Sequence, residues 1–145
     1  MKRRINTDTE KCVGCLACMT ACIAAHHDCS EEGARSFRII KKTKDQTGTF
    51  QKNVCLSCTH CGACISACTT GALYRDRETG LVLSDKRLCV GCQRCSLVCP
   101  QAVIFYDENG KIEKCDGCVN RIREGRTPAC IQTCYLKAIT MTTDI

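Results

Sequence analysis

The chemistry of this 145-residue chain lies in its 18 cysteines. Its most regular set is Cys89-Val-Gly-Cys92-Gln-Arg-Cys95-Ser-Leu-Val-Cys99-Pro100, spaced C-x2-C-x2-C-x3-C-P. Three cysteines within seven residues wrap a tight loop and can point three thiolates at the irons of one [4Fe-4S] cube. The fourth follows after the chain has begun a helix, so it faces elsewhere and calls for a second cube. One complete run therefore requires a partner run. Cys12-x2-Cys15-x2-Cys18-x3-Cys22 repeats the spacing without the proline.

A further run, Cys55-Leu-Ser-Cys58-Thr-His-Cys61-Gly-Ala-Cys64-Ile-Ser-Ala-Cys68, has five cysteines for four places. Taking Cys58, Cys61, Cys64 and Cys68 reproduces the spacing of the other runs and strands Cys55. Taking Cys55 in place of Cys61 gives C-x2-C-x5-C-x3-C, so Cys55 stays open as an alternative. The last set is spread out, Cys115-x2-Cys118-x11-Cys130-x3-Cys134. Alone, such pairs suit a structural zinc site closed by four thiolates; beside three iron–sulfur runs, iron is the better reading. Cys29 fits no run and reads as a small buried hydrophobe, not a ligand. His26, His27 and His60 lie near complete cysteine sets and read as polar surface or as hydrogen-bond donors to sulfur.

Around the runs, short elements alternate with turns. Each run leads into a short helix and then a strand-like exit: Ala72–Arg75, Ala102–Tyr106 and Lys137–Met141. Asp76-Arg-Glu-Thr-Gly80 and Asp107-Glu-Asn-Gly110 make the hairpin turns. Residues 36–54 form an inserted hairpin, with Ser36–Thr43 and Thr49–Val54 on either side of a turn. Val119–Gly125 reads as a helical turn stopped by Gly125, with the return fixed by Pro128. This recurrence of run, helix, strand and turn is a repeat whose units are too small to fold alone. Bound clusters would supply much of the folding free energy.

Composition agrees. Hydrophobic residues make 44% of the chain, but the cysteines are among them; tryptophan is absent and aromatics are 4%. So poor a supply of large side chains cannot build an ordinary core at this length. Met1-Lys-Arg-Arg4 is followed by polar residues without an apolar signal region, and no stretch is apolar enough to span a bilayer. The expectation is a cytoplasmic chain that keeps its thiols for metal, without direct membrane insertion.

With these residues in place, the chain resembles the four-cluster ferredoxin-type electron-transfer subunits that serve formate dehydrogenases, dimethyl sulfoxide reductases, hydrogenases, carbon monoxide dehydrogenases and tungsten aldehyde oxidoreductases. The diagnostic piece is Cys115-Asp-Gly-Cys118-x2-Arg121-x3-Gly125-x2-Pro128-Ala129-Cys130-x3-Cys134. The similarity covers Cys12 to Ile139. The short opening segment and Cys22-Ile-Ala-Ala-His-His are most similar to the carbon monoxide dehydrogenase and aldehyde oxidoreductase branch. The resemblance implies an α+β fold of tandem bacterial-ferredoxin-like (2x[4Fe-4S]) modules with short helices and β-hairpins. It implies one polyferredoxin domain over residues 1–145, with runs nested: 12–22 with 115–134, and 55–68 with 89–99. The implied ligand sets for four [4Fe-4S] clusters are Cys12, Cys15, Cys18 with Cys134; Cys115, Cys118, Cys130 with Cys22; Cys58, Cys61, Cys64 with Cys99; and Cys89, Cys92, Cys95 with Cys68. Thr69 and Tyr135 stand where the family usually has proline, and each restores a backbone N–H near a cluster, able to bond a sulfur and raise its potential.

The formal net charge of +6 fits this assignment. Each oxidised cluster with four thiolates brings about −2, so four leave the loaded chain at about −2 overall. The basic excess is then internal compensation, and scarce aromatics argue against nucleic acid. No nucleotide loop, nucleophile–base pair or substrate motif is present. The expected function is a relay of single electrons, not catalysis by this chain alone. The partners expected are a large tungsten, molybdenum or nickel oxidoreductase subunit acting on an aldehyde, formate or CO, and a second redox partner. A free or self-stacking polyferredoxin is the alternative, and a zinc-rich structural module a weaker one.

Overall fold

The computed structural model describes residues 1–28 and 30–145. Cys29 lies outside them, and so does its reading as a non-ligand. The elements are small and their order follows the cysteine runs. Strand β1 (Lys2–Thr7) leads through a 3-10 turn (Thr9–Lys11) to the first run and helix α1 (Ala17–His26). A hairpin of β2 (Ile39–Lys44) and β3 (Phe50–Leu56) follows, then α2 (Ala63–Ala67) and the hairpin β4 (Leu73–Arg75) and β5 (Val82–Ser84). Next come α3 (Arg94–Val98), the two-residue strands β6 (Phe105–Tyr106) and β7 (Ile112–Glu113), and α4 (Val119–Arg123). Helix α5 (Ala129–Thr133) and β8 (Ile139–Asp144) complete the order. The fold is α+β, with short helices and antiparallel strand pairs of the ferredoxin-like dicluster type.

Three of the four two-stranded sheets are local hairpins; the fourth joins the two ends of the described chain. In it β1 pairs antiparallel with β8, from Lys2 opposite Asp144 to Thr7 opposite Ile139. The sequence marks this basic segment only by its lack of an apolar signal region. It becomes a strand because its partner lies at the far end of the chain, where local pattern cannot reveal it. Helix α1 packs on α5, and α2 on α3.

The apolar core is divided. Cys64, Leu73, Val82, Cys95 and Ile112 form one group between α2, α3 and their exit hairpins. Ile5, Cys130 and Ile139 form another under the β1–β8 sheet. Leu81, Leu83 and Val119 join the β4–β5 hairpin to α4. The exit strands begin later than their sequence pattern suggests, at Leu73, Phe105 and Ile139, because Ala102 and Lys137 are left-handed, at φ 52° each, as Gly71 is at 73°. Each follows its run by the same turn, with Ala102 N–H bonding Cys99 O at 3.2 Å and Lys137 N–H bonding Cys134 O at 3.0 Å. The turn sends the next residue, Ala72, Val103 or Ala138, into the interior.

Candidate metal centres

The loops that present the cysteines share one backbone device. In three runs the residues just before and just after the second cysteine are left-handed: Gly14 and Leu16 (71° and 64°), His60 and Gly62 (55° and 91°), Gly91 and Gln93 (73° and 60°). In the last run Gly117 and Cys118 itself hold 70° and 54°. Such alternation curls successive N–H groups into a concave nest suited to an anion. Several of these donors already face sulfur: His60 N–H to Cys58 Sγ at 3.4 Å and Gly117 N–H to Cys115 Sγ at 3.3 Å. Helices α1, α2, α3 and α5 each hold one cysteine in the first turn and have a second four residues on, inside the helix as Cys22 or at its C-cap as Cys68, Cys99 and Cys134, about 6 Å along the axis. Each helix therefore serves two neighbouring cavities.

Four cavities result. Cavity 1 is lined by Cys12, Cys15, Cys18, Cys134 and also Cys55. Cavity 2 has Cys22, Cys115, Cys118, Cys130 and also Cys58. Cavity 3 has Cys58, Cys61, Cys64 and Cys99. Cavity 4 has Cys68, Cys89, Cys92 and Cys95. Every described cysteine is a free thiol, and Cys15 and Cys92 are the exposed ones. Cys61 and Cys55, rivals in the sequence, thus stand in different cavities.

Two cations are buried between these sets. Arg38, 3% exposed, lines both cavity 1 and cavity 2. Its Nη2 donates to Thr7 Oγ1 at 2.7 Å, its Nη1 faces Cys130 Sγ at 3.9 Å, and its Nε has no partner. Lys114, 5% exposed, lines cavity 3 and donates from Nζ to Val82 O and Cys115 O, each at 2.6 Å. Among the described residues neither makes an ion pair with a carboxylate. Buried unpaired cations are costly, and an anionic cluster in each cavity would supply what the protein does not. The donor sets and these cations fit [4Fe-4S] groups. The sequence signalled neither residue, since Arg38 and Lys114 look like the solvated cations around them.

The histidines divide. His27 bonds Glu31 at 2.9 Å and Arg35 O at 3.2 Å near the surface. His26 donates from Nδ1 to Cys22 O and from Nε2 to Asp116 Oδ1, both at 2.9 Å. The Asp116 bond, followed by the sulfurs of Cys118 and Cys22, holds its pKa well above the usual imidazole range. Of the two readings given for the histidines, polar surface or donor to sulfur, the first fails for His60, which is fully buried, and the second fits its geometry. Val82 N–H donates to its Nδ1 at 3.1 Å, which puts the proton on Nε2, 3.8 Å from Cys115 Sγ. Burial first, then the Lys114 charge, push its pKa down to about 3. The Thr70 hydroxyl lies 3.6 Å from the Cys68 sulfur.

Cavities walled by sets of thiols, with nested N–H donors and buried cations, define an iron–sulfur protein, and comparison with known proteins agrees. Residues 47–144 match the 4Fe-4S dicluster domain. The chain is 36% identical over 146 residues to the probable anaerobic dimethyl sulfoxide reductase chain YnfG of Escherichia coli K12, covering 91% of this chain and 69% of that protein. Identity to the B component of the anaerobic dimethyl sulfoxide reductase of the same organism is 36% over 145 residues, with the same coverage. Protein NrfC of E. coli K12 is 36% identical over 140 residues, 92% of this chain and 61% of NrfC. The chain belongs to the 4Fe-4S dicluster-domain family of iron–sulfur electron-transfer subunits of oxidoreductase complexes. It carries [4Fe-4S] clusters, and its 18 cysteines suffice for four. Among the described residues no helix is long and apolar enough to cross a membrane.

Proposed function

We propose that the chain relays single electrons through four clusters in the spatial order of cavities 1, 2, 3 and 4. The ligand sets are Cys12, Cys15, Cys18 and Cys134; Cys22, Cys115, Cys118 and Cys130; Cys58, Cys61, Cys64 and Cys99; and Cys68, Cys89, Cys92 and Cys95. One arrangement carries this reading: neighbouring cavities share walls. Arg38 borders cavities 1 and 2, Cys58 borders 2 and 3, and α2 and α3 each send cysteines to 3 and 4. The exposed cysteines, Cys15 and Cys92, belong to the two ends of that line. The same walls support two nested modules, runs 12–22 with 115–134 and runs 55–68 with 89–99, and residues 36–54 as a hairpin inserted against cavity 1.

A bound cluster supplies a site that takes up and returns one electron. The residues set how readily it does so. N–H groups of the nests and His60 Nε2–H face sulfurs, and Arg38 and Lys114 place positive charge between clusters; both favour the more negative, reduced state. Around Cys15 the exposed apolar residues are Val13, Leu16 and Tyr135; around Cys92 they are Leu88, Val90, Leu97 and Val98. Apolar rings over two terminal clusters suit docking of two protein partners. One is a large catalytic oxidoreductase subunit, as befits relatives named as reductase chains, and the other a second redox carrier. A tungsten, molybdenum or nickel centre in the catalytic partner, and a cytoplasmic location that keeps the thiols reduced, complete the proposal.

Anaerobic purification at native level tests it: about 16 Fe per chain and a co-purifying large subunit are expected. Fewer than about 8 Fe, or stoichiometric zinc, refutes the four-cluster reading. Recovery of the chain alone argues for a free carrier. The crossed ligation is tested by Cys99→Ser, which should damage the cluster held by Cys58, Cys61 and Cys64. Selective loss of the cluster held by Cys89, Cys92 and Cys95, seen by EPR, rejects it.

A further inference from the structure

Cavities 1 and 2 are each walled by five cysteines where a cube takes four; the fifth of cavity 2, Cys58, also lines cavity 3 among that cavity's own four, whereas the fifth of cavity 1 lines none of the other three. That residue, Cys55, is put there by strand β3. Side chains alternate along a strand, so Asn53 and Cys55 share a face. Asn53 Nδ2 donates to Cys12 O at 2.7 Å, which ties this face to the first cysteine of the opening run. Two residues on, Cys55 is 8% exposed, opposite Ile40 of β2, which lines the same cavity. Cys12 lines the same cavity. A second observation marks this cavity as an anion site: Arg38 borders it, almost fully buried, with an unpartnered Nε. Cavity 3 has four cysteines of its own, and Cys55 is not in its wall.

We propose that Cys55 is a reserve ligand of the cluster in cavity 1, able to take the place of Cys12. The proposal rests on the reading of cavity 1 as a cluster site. In the exchange the Cys55 sulfur–iron bond forms as the Cys12 sulfur–iron bond breaks, and the Cys55 thiol proton passes to Cys12. Thiol and thiolate trade places, so the step is neutral in electrons and needs no outside reactant. The position gives the exchange a use. Cavity 1 is an end of the relay, opened to solvent at Cys15. Cys12 stands half-buried on the loop side, whereas Cys55 approaches from the buried hairpin side. A cluster loosened at its exposed face is recaptured from the interior.

The test compares Cys55→Ala, Cys12→Ala and the double variant, each purified anaerobically, by iron and sulfide content and EPR. Cys55→Ala should retain full iron. Cys12→Ala should also retain it, with an altered EPR signal from one cluster, while the double variant loses about a quarter of its iron. Loss of that quarter in Cys12→Ala alone overturns the proposal. So does its loss in Cys55→Ala alone, which would make Cys55 an ordinary ligand. Full iron in the double variant overturns the reading of cavity 1 itself. If Cys12→Ala fails to accumulate, Cys12→Ser is compared with and without Cys55. An all-sulfur spectrum with Cys55 and an oxygen-ligated one without it support the exchange; identical spectra refute it.

Discussion

His60 occupies a place that glycine holds in the other three runs, Gly14, Gly91 and Gly117. A side chain held left-handed costs roughly 1–2 kcal/mol. In return a neutral imidazole spans the wall between cavity 3, which it lines, and Cys115 of cavity 2. An N–H aimed at a thiolate sulfur stabilises the reduced cluster. His60→Gly suits the backbone and removes the donor, so iron content should hold while the midpoint potential of the cavity 2 cluster falls. An EPR-monitored redox titration reads this, and an unchanged potential refutes the role. Little of this was legible in the sequence. The thiol spacing announced the metal, because ligands must recur at distances set by the cube, but burial of His60, Arg38 and Lys114 depends on β1, β5 and β7 closing over them.

At the level of elements, the short helices and local hairpins were readable because each lies beside its partner in sequence. Strand β1 was not, since its pairing with β8 spans nearly the whole chain. Nor could pattern alone show that Ala102 and Lys137 adopt the turn for which Gly71 is better suited. That turn yields a contrast. A Cβ on Gly71 meets nothing within 4 Å, whereas one on Gly117 comes 2.7 Å from Leu81 Cδ2, in the packing that joins the β4–β5 hairpin to α4. Gly71→Ala should therefore cost only the backbone strain, roughly 1 kcal/mol. Gly117→Ala adds overpacking and should cost roughly 3 kcal/mol. Denaturant unfolding of the loaded chain distinguishes the two; equal losses would mean that the Leu81 side chain yields freely.

For the molecule as a whole, three small apolar groups do not make a self-sufficient interior, and cysteines belong to two of them. Arg38 and Lys114 add buried positive charge that makes no ion pair with a carboxylate among the described residues. Removing iron should thus abolish cooperative unfolding instead of lowering its midpoint modestly. Circular dichroism of the chelated, reduced chain checks this; a retained sharp transition would show a core that stands without metal.

The pairing of β1 with β8 gives the chain an assembly order. Everything that walls cavities 3 and 4 lies between Cys58 and Lys114, whereas cavities 1 and 2 combine Cys12–Cys22 with Cys115–Cys134. On the proposed ligand sets, the inner pair of cubes would be loaded during synthesis while Cys115–Cys134 are still in the ribosome. On the same sets the Cys12–Cys22 thiols would meanwhile wait, open to wrong metals and to oxidation, until β8 arrives to close the sheet.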